Sequence, residues 1–339
     1  MAKVNIMSVD LAKNSIQVLG LSEHGSELFN RKISRQKLYE FIVISKPRIV
    51  LMEACGMAHY WGRRFEQADF EVKLIPPQVV RPFRLGEKND SNDAMAIYVA
   101  GQRPGVHFVP VKSEQHQVLQ MWVRKREALI SARTELVNST RSYLAEFGLV
   151  IPQGIHKFMK AAKEIRSCWP SGIDSSVLEI LERDWLRLAS LNEEIKFFDD
   201  KIHAFTKQDS LCKRMQEVGG VGEVTAVAIR AAVVYPHLFK NGRQFSAYLG
   251  LVPRQNSTGG KTRLGRIAKD GNRYIRQLLI HGGRSFLWSC GSKTDSKSLW
   301  AIKKRTECGF NKACVAVANK NARNIWCILA KSQETMLVA

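Results

Sequence analysis

Four carboxylates and one serine in this chain have types and spacings suited to chemistry on a phosphate ester. Asp10 ends an apolar run, Val4 to Val9, and Glu53 ends another, Arg48 to Met52. If both runs are strands of one sheet, the two acids project from the same edge, where open sheets flanked by helices present their ligands. Asp90 and Asp93 stand three apart in Lys88-Asn89-Asp90-Ser91-Asn92-Asp93-Ala94, a segment that opens a helix and puts both on one face. Four carboxylates within reach of each other repel and raise each other's pKa unless cations neutralise them, and hard oxygen ligands suit Mg2+ or Mn2+. The chemistry implied is metal-assisted phosphoryl transfer. Each acid also has an ordinary reading: Asp90 as an N-cap, Asp93 as favourable first-turn charge, Asp10 and Glu53 as solvated strand ends.

The serine is Ser257, with Thr258 beside it, in the Gly-rich stretch Gly250 to Lys261. Arg254, Lys261, Arg263, Arg266, Lys269, Arg273 and Arg276 surround it in sequence. Glycines admit a nucleic-acid backbone and cations stabilise phosphate charge. A serine there can attack a phosphodiester, but no neighbouring histidine offers a base, so activation needs a metal or an arginine. An ordinary turn serine is the alternative. Upstream, Val218-Gly219-Gly220-Val221-Gly222 between two helical stretches resembles a helix-hairpin-helix turn, whose backbone N–H groups bind phosphate without reading sequence, or else a plain helix connection.

The elements that position these residues follow from periodicity. Val4 to Val9, Ile16 to Leu21 and Glu27 to Ile33 read as a three-strand meander. Helical spacing over Gln36 to Ile44, a strand over Arg48 to Met52, a helix over Tyr60 to Gln67 and a strand over Glu71 to Ile75 follow, stopped by Pro76-Pro77. The pattern predicts a mixed α/β sheet of ribonuclease H-like or RuvC-like arrangement over residues 1–112. Residues 113–208 read as a helical, coiled-coil arm, Glu114 to Glu146 and Ser176 to Phe205, with its tip at Ile151 to Pro170, where Pro152, Gly154 and Pro170 should break helices. Residues 209–339 read as a mainly helical basic domain containing short Gly-punctuated segments.

Charge names the partner class. Lys and Arg number 52 against 31 Asp and Glu, a formal net charge of +21, which points to a polyanion such as nucleic acid. The excess is concentrated late: residues 240–339 hold 19 Lys and Arg against Asp270, Asp295, Glu307 and Glu334. Arg81, Arg84 and Lys88 add a basic approach to the carboxylates, open to RNA or simply to solvent. Seven cysteines without a C-x-x-C pair read as reduced thiols. No signal peptide or uncharged stretch of membrane-spanning length is present, which predicts a soluble, cytoplasmic protein with no membrane partner.

Together these blocks resemble the DEDD transposases of the insertion-sequence 110 group, in particular its 1111-like subgroup, relatives of Piv-type DNA invertases. The resemblance rests on Val9-Asp10 through Asn14, Met52-Glu53 through Gly56, Pro77 through Arg81 with Lys88 through Asp93, Gly219 through Gly222, and Gly250 through Pro253 continuing by Ser257 to Gly260 and Lys269 to Asn272. It implies that Asp10, Glu53, Asp90 and Asp93 bind the metal and that Ser257 forms a phosphoserine link to DNA. It further implies a dimer assembling to a tetramer on double-stranded DNA, a composite site drawn from different protomers, and guidance by a structured bridge RNA.

Three rivals remain at this level. A RuvC-like junction-resolving endonuclease uses the same carboxylates to activate water and does not need Ser257. A noncatalytic nucleic-acid scaffold needs only the charge and the arm. A sugar-kinase or actin-like ATPase shares the meander and strand-end aspartate, but the stretch after Asp10 lacks the glycine of a phosphate loop.

Overall fold

A sheet covered by helices on both faces needs apolar residues on both sides of its central strands, and the first strands here have them. The computed structural model describes residues 3–13, 15–84 and 89–337, with side chains as far as residue 332. Strands β1 (Ile6–Asp10), β2 (Ser15–Leu21) and β3 (Glu27–Ser34) form the meander, followed by helix α1 (Leu38–Ser45), β4 (Ile49–Glu53), α2 (Ala58–Glu66), β5 (Glu71–Ile75), the single turn α3 (Pro77–Val80) and α4 (Asp90–Gln102). The sheet order is β3-β2-β1-β4-β5. β2 runs antiparallel to both neighbours, whereas β1, β4 and β5 run parallel. This is the mixed sheet that the sequence pattern predicts.

Alternation along the strands builds two cores. Met7, Val9, Val50 and Met52 face Leu38 and Ile42 of α1 and Trp61 and Phe65 of α2. Ile6, Ile49, Leu51 and Ile75 face Ala96, Ile97 and Ala100 of α4. Each fully buried aliphatic side chain contributes roughly 1.5–3 kcal/mol, so α4 is held chiefly by this second face. The fully buried Ser8 adds a specific tie, its Oγ donating to the Ala94 carbonyl at 2.7 Å.

Residues 1–117 and 118–339 form two compact units. The second contains most of α5 (Glu114–Glu146), then α6 (Ile155–Ser167), α7 (Ser175–Gln208), α8 (Ser210–Gln216), α9 (Glu223–Ala232), α10 (Gly242–Tyr248), the hairpin β6 (Pro253–Gln255) and β7 (Leu264–Ile267), α11 (Arg273–Ser289), α12 (Ser296–Cys308) and α13 (Phe310–Leu337). Its long helices α5 and α7 match the two helical stretches expected for the arm. Among the described residues no helix is long and apolar enough to cross a membrane.

One local expectation is corrected. The supposed break between the arm helices contains the 13-residue α6. Its Phe158 and Ala162 are spaced by four and pack with Val137 and Leu144 of α5 and Leu181 and Leu188 of α7, while Pro152, Gly154 and Pro170 fall outside the helix. In the C-terminal part, mainly helical as expected, α11 runs unbroken through Gly282 and Gly283. These glycines mark close approach, because a Cβ on Gly282 would lie 1.8 Å from the Gly220 carbonyl oxygen and one on Gly283 would lie 2.5 Å from that of Cys314.

Gly282→Ala therefore forces the 218–222 turn away from α11 and is expected to destabilise by about 1–3 kcal/mol in denaturant unfolding. Gly291→Ala, where a Cβ meets nothing within 4 Å, is expected to stay within about 0.5 kcal/mol of wild type. Equal stability of the two variants would contradict the close-approach reading.

Candidate active site

Parallel pairing aligns the carboxyl ends of β1 and β4, with Val9 opposite Met52. Asp10 and Glu53, the next residue of each strand, therefore emerge side by side. The first turn of α4 brings Asp90 and Asp93. Asn89, not Asp90, caps this helix: its backbone is extended (φ −144°, ψ 137°) and its side chain accepts from Ser91 N at 2.8 Å. Asparagine and aspartate cap about equally well, and with Asn89 in that place both aspartates lie within the helix, free of capping.

Polar ties hold the start of α4 against the sheet. Gln17 of β2 donates to Asn30 Oδ1 of β3 at 2.6 Å, and Asn30 Nδ2 donates to Ser91 Oγ at 2.6 Å. Lys32 of β3 pairs with Asp90 at 2.7 Å. With the Ser8 tie to Ala94, these contacts place the two aspartates toward the end of β1.

The electrostatics show that three of the acids act on the fourth. The Asp10 carboxyl is pushed up to about 6, first by burial and then by Asp93, Glu53 and Asp90, with Arg84 opposing. Burial, Glu53 and Asp10 also raise the Cys55 thiol. Arg84 stands between two of the acids, Nη2 at 2.9 Å from Glu53 Oε2 and Nε at 3.0 Å from Asp93 Oδ1. The sequence marked Arg84 as a nucleic-acid contact, and its distance along the chain from Glu53 gave no sign of this bridge. Among the described residues, no three acidic, histidine or cysteine side chains are gathered closely enough to hold a metal ion as they stand. The donor set nevertheless fits a hard divalent cation: all four groups are carboxylates, and burial together with the other three acids raises Asp10.

Ser257 lies at the far end of the β6–β7 hairpin, exposed, with its Oγ accepting from Gln255 Nε2 at 2.8 Å. Asn256 N donates to the Arg263 carbonyl at 2.9 Å, and Lys261 N to that of Thr258 at 3.1 Å. Gly259 (φ 55°) and Gly260 (φ 74°) supply the two successive positive φ angles that a tight hairpin turn requires. Lys261, Arg263, Arg266, Lys269 and Arg273 are exposed around this hairpin. Arg254 is exposed as a residue but donates to the Ala268 carbonyl at 3.1 and 3.2 Å. Arg276 differs: it is buried and donates to the carbonyls of Leu249 and Asp270, so it braces the base of the hairpin. Arg81 is exposed beside α3, and Lys88 lies outside the described residues.

The 218–222 turn joins α8 to α9 and is anchored from afar. The Gly219 carbonyl accepts from Lys297 Nζ at 2.9 Å and Asn321 Nδ2 at 3.0 Å. Burial, with nearby Lys320, lowers the Lys297 ammonium to about 8. Neither residue carried a sequence signal, since they lie 78 and 102 positions from the carbonyl they hold.

A raised carboxyl has a definite consequence for stability. The folded state binds the Asp10 proton more tightly than the unfolded chain, so the associated stability is complete below 3.8 and is lost as pH rises through about 6. Asp10→Asn removes that loss. Without divalent metal the variant is expected to melt above wild type at pH values above about 6, the gap closing as pH falls toward 3.8. Identical melting curves at the higher pH would show that Asp10 carries no such strain.

Comparison with known proteins gives these residues their family. A transposase family model matches residues 7–148, spanning all four carboxylates, and the model described as Transposase IS116/IS110/IS902 family matches residues 212–298, spanning Ser257. The chain is 39% identical to a Pseudomonas aeruginosa protein named "Probable family 20 transposase", over 96% of both chains. It is 38% identical to the transposase for insertion sequence element IS1111A of Coxiella burnetii, over 99% of this chain and 92% of the other. It is 32% identical to the transposase for insertion sequence element IS1328 of Yersinia enterocolitica, over 97% of both. The carboxylate-bearing unit and the serine hairpin thus belong to a DNA transposase, a member of the IS116/IS110/IS902 family.

Proposed function

We propose that this transposase cuts and rejoins DNA through a phosphoserine intermediate at Ser257, with Asp10, Glu53, Asp90 and Asp93 holding Mg2+ or Mn2+. The observation that supports the reading is that Asp10 and Glu53 close the paired strands β1 and β4 while Arg84 joins Glu53 to Asp93, and that burial, with Asp93, Glu53 and Asp90, raises the Asp10 carboxyl. A divalent cation bound there supplies Lewis-acid stabilisation of charge on phosphate. The protein's own residues do the rest. Ser257 Oγ attacks phosphorus, an Oγ–P bond forms, the serine proton departs, and one ester oxygen of the DNA leaves and is protonated as a hydroxyl. In rejoining, a deoxyribose hydroxyl attacks the phosphoserine and returns the serine. Exposed Lys261, Arg263, Arg266, Lys269 and Arg273 receive the DNA backbone, and the Gly219–Gly222 turn offers backbone N–H groups to a further phosphate. In this reading residues 113–208 serve assembly of a dimer into a tetramer. Arg81, Arg84 and Lys88 are in this reading the candidate contacts to a structured guide RNA, whose base pairing reads the target.

A second reading has an observation in its favour: Ser257 Oγ has Gln255 as its hydrogen-bond partner and no base beside it among the described residues. A junction-resolving nuclease with the same carboxylates would leave this serine idle and activate water instead.

One experiment separates the two. Purified protein with the element's flanking RNA, Mg2+ and labelled donor and target DNA is expected to form a denaturation-resistant protein–DNA adduct. Ser257→Ala is expected to lose it, and chelation of metal to abolish it in wild type. Metal-dependent cleavage without adduct in either protein would replace the recombinase mechanism with the nuclease one.

A further inference from the structure

We propose that Arg84 is a tethered counter-ion of the carboxylate centre, holding Glu53 and Asp93 in the metal-free protein and giving up both when a divalent cation binds. The inference rests on the reading that these carboxylates take such a cation. Its basis is geometric. One guanidinium spends two different nitrogens on two carboxylates from separate elements, Nη2 on Glu53 at the end of β4 and Nε on Asp93 in α4, at 2.9 and 3.0 Å. The side chains of Glu53 and Asp93 are only 13% and 12% exposed, so they have little room for a second cation while Arg84 stays.

The chemistry of arginine makes the competition direct. Its guanidinium has donors only and remains charged at every working pH, so it leaves these oxygens by moving and not by losing a proton. Arg84 is placed to move. It follows the 3-10 turn Arg81–Phe83, its own backbone is extended (φ −73°, ψ 104°), and its side chain is 40% exposed where the carboxylates are not. A single positive charge cannot balance the centre: Arg84 pairs with two acids and Lys32 with Asp90, while Asp10 has no ion-pair partner among the described residues. A doubly charged ion satisfies the group better than Arg84 does. Once displaced, the guanidinium stands beside the metal-bound carboxylates with its charge free for a phosphate. Arg84 is thus a positioning residue, preassembling Glu53 and Asp93 and weakening the affinity for metal until substrate offers it another anion.

The test is Mn2+ binding to the full-length protein without nucleic acid, by isothermal titration calorimetry, for wild type, Arg84→Gln, Arg84→Lys and Asp10→Asn. Arg84→Gln is expected to bind Mn2+ more tightly by about tenfold or more, because two charge-assisted hydrogen bonds no longer compete. Arg84→Lys, which keeps the charge but loses the fork that spans two carboxylates, is expected to fall between the two and covers the case in which the glutamine variant folds poorly. Mn2+ is expected to raise the melting temperature of Arg84→Gln more than that of wild type, and Asp10→Asn to weaken binding. Equal or weaker binding in both Arg84 variants, with wild-type binding intact, would overturn the counter-ion role and leave the metal reading standing. No binding in any of the four proteins would overturn the metal reading and this inference together.

Discussion

Four carboxylates at one end of a sheet repel one another, and the arrangement of residues 1–117 follows from having to hold them there. Two acids are placed by the parallel pairing of β1 with β4, which the apolar residues on both faces of the sheet stabilise. The other two depend on where α4 begins. That start is fixed by the Asn89 cap, by the Gln17–Asn30–Ser91 chain of hydrogen bonds from the meander and by Ser8 beneath Ala94. Repulsion that would otherwise spread the acids is met by two cations, Arg84 and Lys32, and Asp10, raised by burial and by the other three acids, has neither as an ion-pair partner.

The serine is presented in the opposite way. It stands on an exposed two-stranded hairpin with a turn of two positive-φ glycines, among cations that face solvent. The base of that hairpin is rigid where the tip is open: Arg276 is buried against two backbone carbonyls, and Arg254 holds the Ala268 carbonyl. Cations around the hairpin therefore divide into Arg254 and Arg276, which hold backbone carbonyls, and those whose charge faces solvent, a division that a list of basic residues does not contain.

The sheet and its order of strands and helices were legible in the sequence because they depend on local periodicity, and the four acids were singled out because they stand at the ends of apolar runs and at a helix start. Asp10 and Glu53 close such runs, and the three-residue spacing of Asp90 and Asp93 survives any small shift of the helix start. The cap is Asn89, a residue that serves in that place about as well as Asp90. The helix at 155–167 was hidden because the flanking Pro152, Gly154 and Pro170 read as breakers, whereas the packing of Phe158 and Ala162 decides the outcome. Gly282 and Gly283 carried no signal of their own in the sequence, and they are sites where backbone meets backbone. The Arg84 bridge and the Lys297 anchor were out of reach for a simpler reason: Arg84 pairs with Glu53 and Lys297 donates to the Gly219 carbonyl across 31 and 78 positions of chain, with no local pattern to mark either contact.

The account places covalent chemistry at Ser257 and its metal dependence at the carboxylates. Both are tested by mapping the adduct: the protein is reacted with DNA and guide RNA in Mn2+, the DNA trimmed by nuclease, and the peptides read by tandem mass spectrometry. The account predicts a nucleotide phosphate on Ser257 that is absent when the metal is chelated. The same phosphate on Thr258 or elsewhere, or an adduct that persists without metal, would contradict it.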